Sequence, residues 1–400
     1  MKINFVKSNL YLLFFTSLNF ILSYIFIYII TISTSDEVYF QFTGIITFLN
    51  LISLPLNSLG QSLSGLFKNG KVNKKKIQII FTISLNITIL FIFLFFLFSK
   101  MSFMKNIILI DEIYIKYLCL VAFLNFLFAF RISFFQGMLD FKNWSFINFL
   151  LILFRTLVLV ILFLLLKKNN VIHILLAFII SYLLFSPLYV NVFKYYKFKK
   201  YFFNFVKLNF NFLRNLSLIC LYGIVLNIDV FVARYIDSSE SNIYYISALF
   251  GKIPFMVSSI LTYYLYPTNV QKVEHNLLKI LILNLSIIIL SIFFYKFFYN
   301  IINNLLFPNL TLDFNLILYV TIIFGIFSIS NTISFKLNAS KKNIHLIIKY
   351  FALIIFIFLV FSLSDIAIML KYMLLFSISY LVCDIVVLIK YEKNILGRTV

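Results

Sequence analysis

Twelve apolar runs, each close to the length of a bilayer crossing and separated by short charged gaps, decide what this chain can fold into. They occupy 10–33, 38–59, 77–97, 113–130, 144–166 and 171–192, then 216–236, 243–266, 280–298, 314–334, 343–363 and 366–389. A hydrocarbon core of ~30 Å needs about 20 helical residues at 1.5 Å each. Lipid offers the backbone no hydrogen-bond partners, so each run reads as a transmembrane helix. Composition points the same way. Of 400 residues only 12% are charged and 63% are apolar, and mean hydropathy is +1.04. Soluble domains carry about 25% charge, which excludes a water-soluble globule. The first run follows Lys2 and Lys7 but has no small-residue cleavage site, so it reads as a retained span and not a signal peptide.

The charges that remain are lopsided, with 34 Lys+Arg against 13 Asp+Glu for a net +21. A nucleic-acid binder would display that excess on a soluble surface; here it must lie in the gaps. With a cytoplasmic N-terminus, inside segments hold twenty-four Lys and Arg and outside segments seven, counting all four from Lys336 to Lys349 as inside. The positive-inside rule then places both termini in the cytoplasm. No P-loop, HExxH or GxSxG motif is present, so no ATP-driven or hydrolytic machinery is expected in cis. Cys119, Cys220 and Cys383 lie singly within apolar runs, which argues against a disulfide framework or a metal centre. No cofactor is expected.

The longest gap divides the chain into halves. Residues 1–192 form an N-terminal six-helix lobe, 193–215 a linker and 216–400 a C-terminal six-helix lobe. In the linker Lys194, Lys197, Lys199, Lys200 and Lys207 interleave with Phe198, Tyr201, Phe202 and Phe205 near helical spacing. A basic aromatic amphipathic helix of this kind lies among anionic headgroups. The outer turns 33–39 and 237–244 are both short, acidic and Ser-rich, which suggests a weak internal repeat. Six spans per half keep both halves in one orientation.

A charge inside a span is costly and is a functional-site hypothesis by default. Arg155 sits at the middle of 144–166, about 16–18 Å from either end, too deep for easy snorkelling. A structural pairing with a carboxylate or carbonyls is the alternative role. Asp229 and Lys252 lie at like depth on either side of the turn at 237–242, about 12 and 15 Å below the outer surface, and are placed to pair. That pair reads either as a fixed salt bridge or as a cavity-facing Lys252 released when Asp229 titrates. Arg234 and Arg131 stand near span ends and read as snorkelling anchors, with Arg234 also a candidate cavity cation. Asn50, Asn57 and Gln61 share one face of the second span around Pro55 and read as cavity-lining polar groups. Ser247, Gly251, Pro254 and Ser258 form a small-residue face of the eighth, the kind that more often packs helices closely than binds ligand.

Several of these residues carry a resemblance. The stretch Phe134-Phe135-Gln136-Gly137-Met138-Leu139-Asp140-Phe141-Lys142, followed by the span with Arg155, resembles the inner loop and fifth helix of polysaccharide flippases. Asn227-Ile228-Asp229, then Tyr244, Ala248 and Gly251-Lys252-Ile253-Pro254, and finally Tyr266-Pro267, are similar to that family's seventh and eighth helices. The family is the Wzx-type lipid-linked oligosaccharide flippases of the multidrug/oligosaccharidyl-lipid/polysaccharide (MOP) exporter superfamily. One departure is the outer hairpin, where Val38 and Ile243 stand in place of the family's usual Gly before Tyr.

The resemblance implies an all-α polytopic membrane protein of about 12 helices in two six-helix bundles (MATE-like), in the cell (inner) membrane. It implies a non-enzymatic transporter whose lobes rock around a cationic cavity. The cargo would be a polyprenyl-diphosphate-linked oligosaccharide repeat, crossing from the cytoplasmic to the outer leaflet for surface polysaccharide assembly. Arg155, Lys252 and Arg234 would compensate the diphosphate, with Asp229 setting the resting pairing; an Arg fork matches phosphate oxygens bidentately. Anionic lipids and other polysaccharide-assembly proteins are the further partners implied; nucleic acid is not among them, and the chain is expected to act as a monomer. An ion-coupled small-molecule exporter of the same superfamily and a membrane glycan polymerase stay open as alternatives.

Overall fold

The computed structural model describes residues 5–64, 74–98, 112–138, 140–166, 170–189, 210–236, 241–258, 277–301, 303, 313–339, 344–360 and 365–396. Twelve principal helices follow one another among these residues. The first six are α1 (Phe5–Ser33), α2 (Asp36–Ser64), α3 (Lys74–Phe98), α4 (Glu112–Gly137), α5 (Phe141–Leu166) and α6 (Val171–Leu184). The second six are α7 (Phe210–Ile236), α8 (Ser241–Gly251), α9 (Leu277–Ile301), α10 (Phe314–Ala339), α11 (Ile344–Val360) and α12 (Ile366–Leu396). A short turn of helix, Ser186–Tyr189, follows α6, and helix resumes after α8 over 253–258. Most of the expected linker lies outside the described residues, and 210–215 are the start of α7. Helix α2 runs unbroken through Pro55.

Seven of these helices are long and apolar enough to cross a bilayer, and three shorter apolar stretches lie in α3, α6 and α11. The outward faces fit lipid and not water: Leu164 and Phe297 are each 73% exposed and Ile347 70%. Bare apolar side chains on this scale need an apolar solvent. The chain is a multi-pass membrane protein with an all-helical fold.

Two compact units divide the chain, Met1–Ile219 and Cys220–Val400. In the first, α2 packs on α4, α3 on α4, α4 on α6 and α5 on α6. In the second, α8 packs on α10, α9 on α10, α10 on α12 and α11 on α12. These four pairs recur six helices later, whereas the packing of α1 on α5 has no counterpart of that extent between α7 and α11 among the described residues. The fourth helix of each six is the hub by its partners, α4 meeting α2, α3, α5 and α6 and α10 meeting α8, α9 and α12, and both are more than half buried along their spans, as is α7. Helix α10 suits that place because Gly325, Ser328, Ser330 and Ser334 let neighbours come close. Among its hydroxyls, Ser328 donates back to the Gly325 carbonyl at 2.7 Å and so does not expose an unpaired donor in the core.

Candidate functional site

Asp229 lies inside α7 and is fully buried, as are Tyr244 and, to 4% exposure, Lys252. An isolated carboxylate there would cost several kcal/mol of desolvation, an effect that only close and well-directed partners offset. They are present. The Lys252 ammonium stands 2.7 Å from each oxygen of Asp229, and the Tyr244 hydroxyl donates to Oδ2 at 2.9 Å. Lys252 also donates to the Leu226 carbonyl at 2.7 Å, so three oxygens stand around its nitrogen. The ring of Phe324 on α10 covers the ammonium at 4.8 Å.

The backbone around Lys252 is shaped by its neighbours. Pro254 has no N–H to give the Phe250 carbonyl four residues earlier, and the Tyr295 hydroxyl of α9 donates to that carbonyl instead. Gly251 lies so close to α10 that a Cβ there would stand 2.6 Å from Val320. The small-residue face of α8 is therefore a packing face, with Ser247 and Ser258 buried beside it. Tyr244 also borders a cavity of about 510 Å3 between the starts of α8, α10 and α12, where Ile243, Tyr319, Asp313, Asp365 and Lys371 line the wall. Asp313 and Asp365 accept from the backbone N–H of Asn315 and Ala367 at 2.8 and 2.7 Å and so cap α10 and α12.

A second buried ion pair occupies the same unit, and sequence reasoning missed it. Lys349 and Asp384 are both fully buried and 2.5 Å apart. The inside-charge count placed Lys349 in a cytoplasmic segment; this is corrected, because Lys349 lies one turn inside α11 with its ammonium in the protein interior. Tyr222, Ser330, Ser334 and Tyr380 surround the pair. Asp384 in a late span was the available signal. Its partner was hidden because a lysine near the inner end of a span reads as topology.

In the first unit, Arg155 is half-buried on α5. Its guanidinium carbon lies 3.9 Å above the Phe178 ring and 5.4 Å from that of Tyr182, both on α6. Tyr182 in turn donates to Asn125 of α4 at 2.9 Å. Among the described residues Arg155 has no carboxylate partner, and its Nε has no hydrogen-bond acceptor. Arg131 leans on the rings of Phe134 and Phe135 at 5.9 and 5.5 Å. Arg234 departs from the snorkelling expectation: it is 3% exposed, folded inward in the last turn of α7, where the helix dipole favours a cation. Asn50 is exposed on α2. The side chains of Asn57 and Gln61 lie outside the described residues. Among the described residues no three His, Cys, Asp or Glu side chains gather as a metal site.

No protein-family model and no curated protein matches this sequence. Solved structures do match in fold. A mutant of the Vibrio cholerae MATE transporter VcmN superposes with a TM-score of 0.66 at 12% identity, over 98% of this chain and 96% of that one. The eukaryotic MATE transporter AtDTX14 gives 0.60 at 13% identity, over 96% of both chains. A MOP-superfamily transporter from Pyrococcus furiosus, described as having a binding pocket of reverse polarity that suggests a different function, gives 0.58 at 12%, over 95% and 94%. At these identities the likeness is one of fold. The fold is that of MATE transporters.

Proposed function

We propose that this chain is an alternating-access transporter whose cargo is an anionic amphiphile, a polyprenyl-diphosphate-linked oligosaccharide moved from the cytoplasmic to the outer leaflet. The observation that carries the reading is Arg155, a mid-span guanidinium held on two aromatic faces with no carboxylate partner among the described residues. A cation at that depth with no counter-charge among the described residues suits a substrate that brings the negative charge itself. Stacking on Phe178 fixes the plane of the fork while leaving N–H groups for phosphate oxygens. Lys252 and Arg234 belong to the same proposal as secondary cations, Lys252 only after it leaves Asp229.

In cells lacking the protein, lipid-linked repeats should accumulate on the cytoplasmic face. Wild-type protein should clear them, Arg155→Lys should clear part, and Arg155→Ala at equal membrane abundance should clear little. Full export by Arg155→Ala would overturn the proposal.

A second reading has its own support. Asp229 is a buried carboxylate whose partner Tyr244 borders the cavity at the helix starts, an arrangement suited to ion-coupled export of small molecules. One structure of the same fold is described as a multidrug-resistance MATE transporter of the MOP superfamily. On this reading the deletion changes only sensitivity to toxic compounds. A deletion that instead releases single, unpolymerised repeats outside the cell would point to a polymerase.

A further inference from the structure

Lys252 and Lys349, the two buried lysines among the described residues, differ in one respect that their shared chemistry hides. Lys252 has three oxygens around its nitrogen, no more than it has hydrogens. Lys349 has four oxygens around its nitrogen: Asp384 Oδ2 at 2.5 Å, Ser334 Oγ at 2.6 Å, Tyr222 Oη at 2.7 Å and Ser330 Oγ at 3.0 Å. An ammonium has three donors, so the shell holds more acceptors than hydrogens.

The hydroxyl hydrogens are directed elsewhere. Ser330 donates to Asp384 at 2.6 Å and Ser334 donates to it at 3.0 Å. Tyr222 lies within 2.8 Å of Ser330 and 3.1 Å of Ser334, either of which can take its proton. All four oxygens therefore turn lone pairs toward one point. Three helices, α7, α10 and α12, supply this shell around the α11 lysine, and none of the five side chains is more than 4% exposed. One carboxylate and three neutral oxygens balance one positive charge. Hard cations take oxygen shells of this type, and oxygens fixed in place substitute for a hydration shell.

We infer that this cluster is a monovalent-cation site whose cation is supplied in cis by the Lys349 ammonium. The native chain is charge-complete here without an ion from either side of the membrane. Removing the ammonium while keeping the aliphatic stem opens the site to a free cation of ammonium or potassium size, the size that oxygens 2.5–3.0 Å from the centre fit.

Lys349→Met is the informative variant because its side chain retains the apolar stem and vacates the position of the nitrogen. Purified in detergent, it should unfold about 5 °C higher in 100 mM potassium or ammonium chloride than in choline chloride, the shift expected when a ligand stands near a hundredfold above its dissociation constant. Wild-type protein should be unmoved by the exchange, and so should Lys349→Met/Asp384→Asn, which lacks the counter-charge. Equal midpoints for Lys349→Met in all three salts would overturn the inference, as would an equal gain in wild type. If Lys349→Met is too unstable to purify in choline, its recovery from membranes becomes the readout. Greater recovery in potassium supports the site, and equal loss in every salt overturns it.

Discussion

Asp229 would cost the fold heavily if its partners were taken away. The carboxylate is fully buried, so Lys252→Met should destabilise the protein by about 3–5 kcal/mol, the range for a buried charge left uncompensated. Asp229→Asn/Lys252→Met should recover much of that loss, because nothing charged is then left behind. Thermal unfolding of the three variants in detergent checks the order; a double variant as unstable as the worse single one would mean the pair is not the source. Both residues were legible in the sequence as charges inside apolar runs, and a hairpin separation of only 23 positions made their meeting easy to foresee. Lys349 and Asp384 were not so legible, although only 35 positions apart. Their network closes through Tyr222, 127 positions before Lys349, and tyrosines are too common here, at 25, for one to stand out. The Phe178 platform under Arg155 was hidden for the same reason, among 53 phenylalanines.

At the scale of the helix, Gly251 fixes how near α8 approaches α10. A Cβ at this position would stand 2.6 Å from both Cβ and Cγ1 of Val320 and 3.1 Å from the Thr321 backbone nitrogen. Because a branched residue and a backbone atom both block it, Gly251→Ala should cost about 1–3 kcal/mol as overpacking. Val320→Ala should relieve most of that penalty when combined with it, and failure to do so would place the clash elsewhere. The same contact bears on the buried pair: Tyr244 lies in α8 and Lys252 directly follows it, so a helix pushed outward loosens the hold on Asp229. Tyr295 acts on the other side of α8, serving the carbonyl that Pro254 leaves, and Tyr295→Phe should cost about 1 kcal/mol for the lost bond. The sequence showed the small-residue face and its packing bias, yet not the partner, because periodicity identifies a face and not the helix it meets. Nor did it show which helix is the hub: the burial of α4 and α10 follows from tertiary order, and their mean hydropathies, 2.1 and 2.0, resemble that of α9 at 2.2.

Across the whole molecule, orientation in the membrane rests on charge that the fold partly reassigns. Lys349 leaves the inside count and joins the protein interior, but the remaining inside lysines still outnumber the outside ones threefold. The rule needs only that bias near the ends of spans. Six spans per half carry an expectation of their own, that equivalent turns of the two halves lie on the same side of the membrane. Ser35, before α2, and Asn315, at the start of α10, should then both face outward, whereas Asn143, at the start of α5, and Lys390, late in α12, should face the cytoplasm; all four are exposed. With Cys119, Cys220 and Cys383 replaced by serine, a membrane-impermeant maleimide should label Ser35→Cys and Asn315→Cys in intact cells. It should reach Asn143→Cys and Lys390→Cys only after permeabilisation. Labelling of one outer position and not the other would break the like orientation of the two units, and complete reversal would invert the topology. Complete reversal would also turn the proposed cargo around, since on that proposal a repeat unit made in the cytoplasm meets Arg155 from the inner side.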